Sequence, residues 1–279
     1  MISVLQLGSL DYATGLRLQQ KLVELRKNGH IGDVLLLLEH TPVITLGRNA
    51  NASNVVASPE QLAQLGVELF ECDRGGDVTF HGPGQLVGYP IFDLRGFPSA
   101  ESTRKTLGVV EYVRRLEEVL IRTCADFGIP AQRIAGLTGV WTTSASEGLG
   151  LSPGPGGSET RPYTGTDEAK IAALGVHISR GVTSHGFALN VNADLSFFDL
   201  IIPCGLATKS VTSMARQLTR EISMQEVAHT VTRGFGKVFG SQILWLDTLD
   251  ALLGPVVGVP MSLPAELRRM HEEEDTFRG

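Results

Sequence analysis

Residues 74–91 read RGGDVTFHGPGQLVGYPI, and this stretch decides how the rest of the chain is interpreted. Four glycines lie between Gly75 and Gly84, in front of a strand-like apolar segment. Such a density of glycine predicts a backbone with unusual dihedral angles, or one that lies close against a ligand. A long hairpin with irregular turns is the alternative. Arg74 and His81 favour a functional site because they can orient a carbonyl or a phosphate, although a lone histidine is more often structural.

The segments before this stretch alternate between helical and strand patterns. Apolar residues at helical spacing predict a first helix over 11–27, with Asn28 and Gly29 as its end. Ser58 followed by Pro59 predicts the start of a second helix, which Gly66 closes. Continuous or alternating apolar runs predict strands at 33–39, 43–46, 67–72 and 86–92.

Two further helices are predicted in the second half of the chain. The longer runs from about 103 to 127, and Gly128 ends it. Its predicted inward face consists of Val109, Val113, Leu116, Leu120, Cys124 and Phe127. Ser223 to Glu226 form a capping box that opens the other helix. Its predicted inward residues are Val227, Val231, Phe235 and Val238.

The composition predicts one catalytic domain over 1–245 with an insertion inside it. Residues 142–167 are rich in Ser, Gly, Pro, Thr and Glu, which is typical of a flexible loop. The flanking segments, including strands predicted at 170–178 and 182–191, are expected in one sheet. Residues 246–279 are predicted to be a C-terminal appendage, partly disordered and ending in an acidic run.

Composition and motifs narrow the function. The net charge of −6 disfavours a nucleic-acid partner, which would need a basic surface. The longest aliphatic run is Val34 to Leu38, far short of the ~20 residues of a membrane span. Three cysteines and no signal-like start indicate reduced thiols and a cytoplasmic location. No metal-ligand spacing and no phosphate-binding glycine motif is present, so we expect no metal and no cofactor.

A lysine and a cysteine stand out as candidates for chemistry. Lys170 begins the small, apolar strand KIAALGV, where it is either an edge cation or a partly desolvated proton acceptor. Cys204 lies in IIPCGL, where Pro203 and Gly205 predict a bend with free backbone N–H groups. Cys72 and Cys124 occur in a strand and on a helix face, which is typical of small core residues. On residues alone, nucleophilic and structural roles for Cys204 are about equally supported.

Together these stretches resemble the lipoyl(octanoyl) transferase family. The resemblance lies in RGGDVTFHGPGQLVGYPI at 74–91, GVW at 139–141, KIAALGV at 170–176, TSHGFALNVN at 183–192 and IIPCGL at 201–206. It implies an α/β (α+β) fold, a single domain of the biotin/lipoyl protein ligase type with a mixed sheet flanked by helices. By the same resemblance, Cys204 is the acyl-thioester nucleophile and Lys170 is the lysine that promotes its thiolate.

The family's acyl-binding segments fall on three parts of this sequence. They are Arg74, Gly75, Gly76, Asp77, Val78, Thr79, Phe80 and His81, then Ala173, Leu174 and Gly175, and last Gly186, Phe187 and Ala188. Asp77 fills a variable slot in the motif.

The resemblance also implies the partners. The donor is octanoyl-acyl carrier protein. The acceptors are lysines of the apo lipoyl domains of 2-oxoacid dehydrogenase complexes and of glycine cleavage H protein. Neither nucleic acid nor a membrane takes part.

Three other functions are compatible with the same residues. An ATP-dependent lipoate or biotin ligase on the same fold would have a pocket lysine but would not need a nucleophilic cysteine. A cysteine hydrolase would use Cys204 with His81 or His185, and water would be the acceptor. A non-enzymatic acyl- or protein-binding module would leave both Lys170 and Cys204 without a chemical role.

Overall fold

A large mixed sheet forms the centre of the molecule. The computed structural model describes residues 1–100, 105–143, 168–203 and 209–253. Its strands are β1 (Ile2–Leu10), β2 (Asp33–His40), β3 (Val43–Leu46), β4 (Glu68–Glu71), β5 (Val78–His81), β6 (Gln85–Ile91), β7 (Gln132–Ile134), β8 (Leu137–Thr143), β9 (Glu168–Ser179), β10 (Val182–Asn190), β11 (Ser210–Val211) and β12 (Ile243–Trp245). Its helices are α1 (Tyr12–Lys27), α2 (Pro59–Gln64), α3 (Val109–Asp126), α4 (Met214–Leu218), α5 (Met224–Phe239) and α6 (Leu249–Leu253).

The order of strands in the large sheet is β12-β1-β2-β6-β10-β9-β8-β7, and β11 pairs with β9 outside this path. The pairs β12–β1 and β1–β2 are parallel, whereas every neighbour from β2 to β7 is antiparallel. A second sheet of order β4-β3-β5 lies beside it. The expected mixed sheet is therefore confirmed.

Helices cover both faces of the large sheet. α3 and α5 pack on one face through a core that includes Leu116, Leu120, Val231 and Phe235. α1 packs on the other face through Leu18, Leu22 and Leu25, which meet alternate side chains of β2. The continuous apolar run of β2 is explained by this arrangement, since a central strand is buried on both faces.

Most helix boundaries follow the predicted capping signals. Asp11, Ser58 and Ser223 each cap a helix by accepting a hydrogen bond from a backbone N–H of the first turn. The prediction for the long helix was wrong at its start. Gly108 is the N-cap of α3, so the helix begins at Val109 and not near 103, and Val109 is 51 % exposed where the pattern placed it inward. Leu107, just outside the helix, is the residue that enters the core.

The two strands that flank the predicted insertion are antiparallel neighbours, as expected. β8 pairs with β9 from Val140 opposite Ala172 to Thr143 opposite Glu168. Thr142 and Thr143 therefore belong to β8 and not to the insertion. Residues 144–167 lie outside the described residues.

The chain from Leu246 to Leu253 continues against the body of the protein. The backbone N–H of Leu246 donates to Val4 O at 2.9 Å, and Leu249 is buried in the core under α1. Residues 246–253, which the sequence assigned to the appendage, thus contact the body of the protein, while the rest of it, 254–279, lies outside the described residues. The division into a catalytic domain and an appendage stays a prediction. No helix of the described residues is long and apolar enough to cross a membrane.

A buried carboxylate joins α3 to the sheet. Glu117 is fully buried and accepts hydrogen bonds from Arg114 Nη1 at 2.7 Å, Arg133 Nε at 3.0 Å and the backbone N–H of Gly139 at 3.2 Å. Gly139 belongs to β8. Glu117 therefore fixes the position of this strand relative to the helix.

We predict that Glu117→Ala lowers the free energy of unfolding by about 3 kcal/mol, because two arginines and a strand N–H lose a buried partner. Glu118→Ala is the matched control on the same helix, since Glu118 is partly exposed and its loss should cost about 1 kcal/mol or less. Urea denaturation of both variants measures the difference. Equal losses would contradict the role given to Glu117.

Candidate active site

A β-bulge in β9 determines where Lys170 points. Val140 of β8 lies opposite Ala172, but the next residue, Trp141, lies opposite Lys170, so Ile171 is an extra residue in β9. Ile171 and Ala172 consequently both lie in the core under α3 and α5. The bulge changes the alternation of side chains, and Lys170 lines the same cavity as Ala173.

The segment Gly139–Trp141 frames the lysine. The ring of Trp141 lies 4.7 Å from Lys170 Nζ, a cation–π distance, and Trp141 is fully buried. A Cβ on Gly139 would lie 3.3 Å from Lys170 Cε and 3.1 Å from Ala172 O. Gly139 therefore leaves the space that the lysine side chain occupies. Lys170 itself is only 7 % exposed.

Two cavities lie next to each other beside Lys170. The first contains Lys170, Pro203, Gln85 and Asn190 among its lining residues and has an empty volume of about 330 Å³. The second has an empty volume of about 480 Å³, counting space open to solvent. Thr79, Ala173 and Ala188 line both cavities, so the cavities are adjacent.

The floor of the second cavity consists of small residues from paired strands. Ala173 lies opposite Ala188, and Gly175 lies opposite Gly186. Ala188 is in turn opposite Val87 of β6. The small side chains of Ala173 and Ala188 leave room for an apolar ligand above the sheet, whereas the space beside Gly175 is taken by Gly75 and Arg74. The alternate residues Leu174 and Phe187 pack toward α3 and α5.

Arg74 supports the glycine-rich loop from inside. Its Nε donates to Thr45 Oγ1 at 3.1 Å, its Nη1 to Gly75 O at 3.1 Å, and its Nη2 to Thr45 O at 2.7 Å and Asp77 O at 2.8 Å. The guanidinium is 7 % exposed and is engaged by backbone and hydroxyl oxygens. These contacts favour a role of Arg74 in shaping the loop over a role in orienting a substrate carbonyl or phosphate.

Most of the predicted acyl-binding residues meet around these cavities. The lining includes Arg74, Gly76, Asp77, Thr79, Phe80, His81, Ala173, Leu174, Gly175, Gly186, Phe187 and Ala188. Two predicted residues do not line either cavity: Gly75 lies against β9, with its N–H donating to Val176 O at 3.1 Å, and Val78 is fully buried in a separate core. Asp77 accepts hydrogen bonds from the backbone N–H of Asn51 at 2.9 Å and from Asn54 Nδ2, which ties it to the neighbouring loop.

The histidines of the site are held by internal partners. Burial lowers the pKa of His81 to about 3 and that of His40 to about 4. His81 Nδ1 lies 3.1 Å from Gln85 Oε1, and His40 Nε2 lies 2.6 Å from the hydroxyl of Tyr89. His185 Nε2 lies 2.7 Å from Asp73 Oδ1, and burial lowers the pKa of His185 although Asp73 opposes the shift. Because the pKa of His81 is so low, its ring is a poor proton acceptor, and this weakens its expected role as a base.

Sequence reasoning missed several cavity residues. Tyr12, Val87 and Tyr89 line the second cavity, and Gln85, Asn190 and Phe198 line the first. Tyr12 follows the N-cap of a predicted helix and Tyr89 lies in a predicted strand, so their patterns indicate secondary structure and not a site. The φ of 56° at His185, unusual for a residue other than glycine, is equally invisible in sequence.

The predicted nucleophile Cys204 lies outside the described residues. Its neighbour Pro203 is described and lines the cavity that contains Lys170. Cys124 is a core residue as predicted, and burial raises the pKa of its thiol to about 12. The prediction for Cys72 was wrong: it is half-buried just after β4, with its Sγ 3.4 Å from Leu46 O, because the strand ends at Glu71. Among the described residues no cluster of His, Cys, Asp and Glu could hold a metal ion.

Comparison with known sequences identifies the family of this chain. Residues 11–236 match the family described as lipoyl protein ligase A/B catalytic domain. An octanoyltransferase of Koribacter versatilis is 56 % identical over 98 % of both chains. An octanoyltransferase of Acidobacterium capsulatum is 57 % identical over 91 % of this chain and 96 % of that protein. The chain belongs to the lipoyl protein ligase A/B catalytic domain family.

Solved structures of the family share the fold. The chain superimposes on an archaeal lipoate protein ligase from Thermoplasma acidophilum with a TM-score of 0.62 at 16 % identity, over 98 % of this chain and 91 % of that one. Lipoate-protein ligase A bound with ATP gives a TM-score of 0.63 at 14 % identity, over 98 % and 94 %. The predicted fold class is confirmed. With octanoyltransferase relatives at such high identity, the protein is an acyltransferase.

The neutral histidines of this acyltransferase predict a loss of stability in acid. The folded pKa of His40, about 4, lies below the unfolded value of about 6.5, so the unfolded chain takes up its proton first as the pH falls. Its contribution is complete above pH 6.5 and is lost between there and pH 4, at up to ~1.4 kcal/mol per pH unit. We predict that His40→Gln makes the free energy of unfolding less dependent on pH in this window. Urea denaturation at pH 7, 6 and 5 measures the slope, with the exposed His30→Gln as control; an unchanged slope in His40→Gln would refute the assignment.

Proposed function

We propose that this protein transfers an octanoyl group from octanoyl-acyl carrier protein to a lysine of apo lipoyl domains, through a thioester on Cys204. One observation carries the proposal: Lys170 and Pro203, the residue before Cys204, line one cavity that lies next to a second cavity floored by Ala173, Ala188 and two glycines. A candidate base, the residue that precedes the candidate nucleophile and a slot for an alkyl chain are thereby adjacent.

The proposed reaction has two transfers. Lys170 accepts the proton of Cys204, and the thiolate attacks the octanoyl thioester of the donor. The C–S bond to the donor breaks, and the donor thiol leaves with the proton from Lys170. The amine of the acceptor lysine then attacks the acyl-Cys204 thioester, forms an amide and gives its proton to the departing Cys204 sulfur through Lys170.

The energetics do not call for ATP. Exchange of one thioester for another is nearly balanced, and conversion of a thioester to an amide is downhill. The acyl group thus arrives activated, and the protein has to supply a nucleophile, a proton acceptor and a dry slot. Burial of Lys170 and the small residues of the cavity floor support this division of roles.

Donor and acceptor would reach the thiol from the open side of the cavity. A wider groove shares Phe198, Pro203 and Val211 with the cavity of Lys170 and also contains Lys209 and Arg216. Lys209 pairs with Glu168 at 2.6 Å, and Asp199 lines the same groove. Arg216 would therefore supply the attraction for an acidic partner, which the overall charge of −6 does not. We place the reaction in the cytoplasm, where a thiol nucleophile stays reduced.

Two other enzymatic functions stay distinguishable. A ligase on the same fold would need ATP and would tolerate loss of Cys204. A cysteine hydrolase would need a histidine base, and the low pKa of buried His81 argues against it, while His185 is engaged by Asp73. Release of free octanoate without any lysine-bearing acceptor would favour the hydrolase.

We predict that incubation with octanoyl-acyl carrier protein adds one octanoyl group to the peptide that contains Cys204. The adduct should be labile to hydroxylamine, as a thioester is, and an apo lipoyl domain should discharge it. Intact-protein and peptide mass spectrometry measure both steps.

The other cysteines are the controls for this experiment. Cys204→Ala should abolish the adduct, whereas Cys72→Ala and Cys124→Ala should retain it. Undiminished transfer by Cys204→Ala that requires added ATP would replace the proposal with the ligase.

We also predict that Lys170→Ala lowers the rate of alkylation of Cys204 at pH 7 by about tenfold, because the thiol loses the group that takes its proton. The pH profile of alkylation by iodoacetamide, followed at the Cys204 peptide, should move to higher pH. Lys209→Ala is the matched control, since Lys209 lies near the groove but pairs with Glu168 at 2.6 Å. An unshifted profile in Lys170→Ala would remove Lys170 from the mechanism.

A further inference from the structure

We infer that Tyr89, fixed by buried His40, is the stop that sets the length of acyl chain the cavity accepts. This inference rests on the proposed function, because it takes the second cavity as the slot for the alkyl tail. Burial of additional methylene groups favours longer chains, so a preference for one length needs a closed end.

The cavity residues lie in successive rows along the strands. Asn190 pairs with Gln85 beside Lys170, and two residues further along Ala188 pairs with Val87. Tyr89 follows two residues after Val87 on the same face of β6 and also lines the second cavity. From Gln85 to Tyr89 the strand advances roughly 13 Å at 3.3 Å per residue.

This distance matches a medium chain. Seven carbon–carbon bonds of about 1.5 Å in zigzag extend roughly 9 Å. With its carbonyl beside Lys170, an octanoyl chain passes Ala173 and Ala188 and ends in front of the ring of Tyr89. A twelve-carbon chain, roughly 14 Å long, exceeds the distance to Tyr89, and a ten-carbon chain, roughly 11 Å long, meets the ring because the side chain itself takes up part of that distance.

The ring of Tyr89 is held by its hydroxyl. His40 is fully buried, and its Nδ1 lies 2.9 Å from Leu10 O. A carbonyl only accepts, so Nδ1 carries the proton and Nε2 accepts the hydroxyl proton of Tyr89 at 2.6 Å. Both polar groups are thus satisfied without water.

His40 in turn has no room to retreat. A Cβ on Gly15 of α1 would lie 2.8 Å from His40 Cε1, so the helix backbone lies directly on the imidazole. The ring of Tyr12 packs against another part of it, with centroids 5.2 Å apart. The ring of His185 meets Tyr89 edge to face at 6.4 Å. A tail that pushes on Tyr89 therefore pushes on packed side chains and on α1.

The test measures which chain lengths form an adduct on the intact protein. A mixture of hexanoyl, octanoyl, decanoyl and dodecanoyl N-acetylcysteamine thioesters is the donor, and mass spectrometry gives the ratio of adducts. In Tyr89→Leu and Tyr89→Ala the ratio of decanoyl to octanoyl adduct should rise on the order of tenfold, the value for two newly buried methylenes. Tyr89→Phe keeps the ring but loses the hydrogen bond to His40, so the ratio should rise less than in Tyr89→Leu.

Tyr112→Leu is the matched control for loss of a buried tyrosine. Tyr112 is fully buried on the opposite face of the sheet, in the core under α3 and α5. The Tyr112→Leu substitution should lower the melting temperature without changing the ratio of decanoyl to octanoyl adduct. If Tyr89→Ala does not fold, Tyr89→Leu is the variant that tests the role of Tyr89.

The outcomes separate this inference from the proposed function. A parent protein that forms no adduct with any chain refutes the acyl-thioester reaction and the inference with it. Octanoyl adduct in the parent, together with an unchanged ratio in folded Tyr89→Leu, overturns the role of Tyr89 alone. An equal change in Tyr112→Leu overturns it as well, because the effect would then come from general loosening.

Discussion

The chemistry of this site depends on one extra residue in a strand. Ile171 interrupts the pairing of β9 with β8, and without it the alternation of side chains would send Lys170 into the core under α3 and α5. The bulge instead brings its ammonium to the face where Ala173 and Ala188 leave a cavity. Gly139 and Trp141 on the neighbouring strand provide space and a ring face for it. The buried Glu117 then secures that strand to α3.

Several charged and polar residues around the cavities are engaged by other parts of the protein. Arg74 is engaged by the oxygens of Thr45, Gly75 and Asp77, and His40 by Leu10 and Tyr89. An alkyl chain gains from burial only where the walls do not lose hydration or hydrogen bonds to it. Arg74, which suggested substrate contacts in the sequence, is therefore engaged mainly within the protein.

The sequence predicted those features that arise from local patterns. Caps at Ser58 and Ser223 and the inward residues of α5 were correct because capping and periodicity act within a few residues. The start of α3 was wrong, since Gly108 and the burial of Leu107 decide it and the pattern also fits an earlier start. The direction of Lys170, the internal bonds of Arg74 and the pairing of His40 with Tyr89 depend on residues far apart in the chain. The spacing of residues along the sequence does not indicate such long-range contacts.

The proposed transfer makes demands on the cavity that go beyond the fold. The solved relatives include a lipoate-protein ligase bound with ATP, which shares the fold at 14 % identity. In the proposed transfer the acyl group arrives activated, so it must stay in place while a large donor leaves and a large acceptor arrives. Burial of six or seven carbons contributes roughly 5 kcal/mol toward holding the tail during that exchange. A slot that ends at Tyr89 and is open at Pro203, as proposed, would meet both needs, because the tail would be retained at one end while only the thioester would be presented at the other.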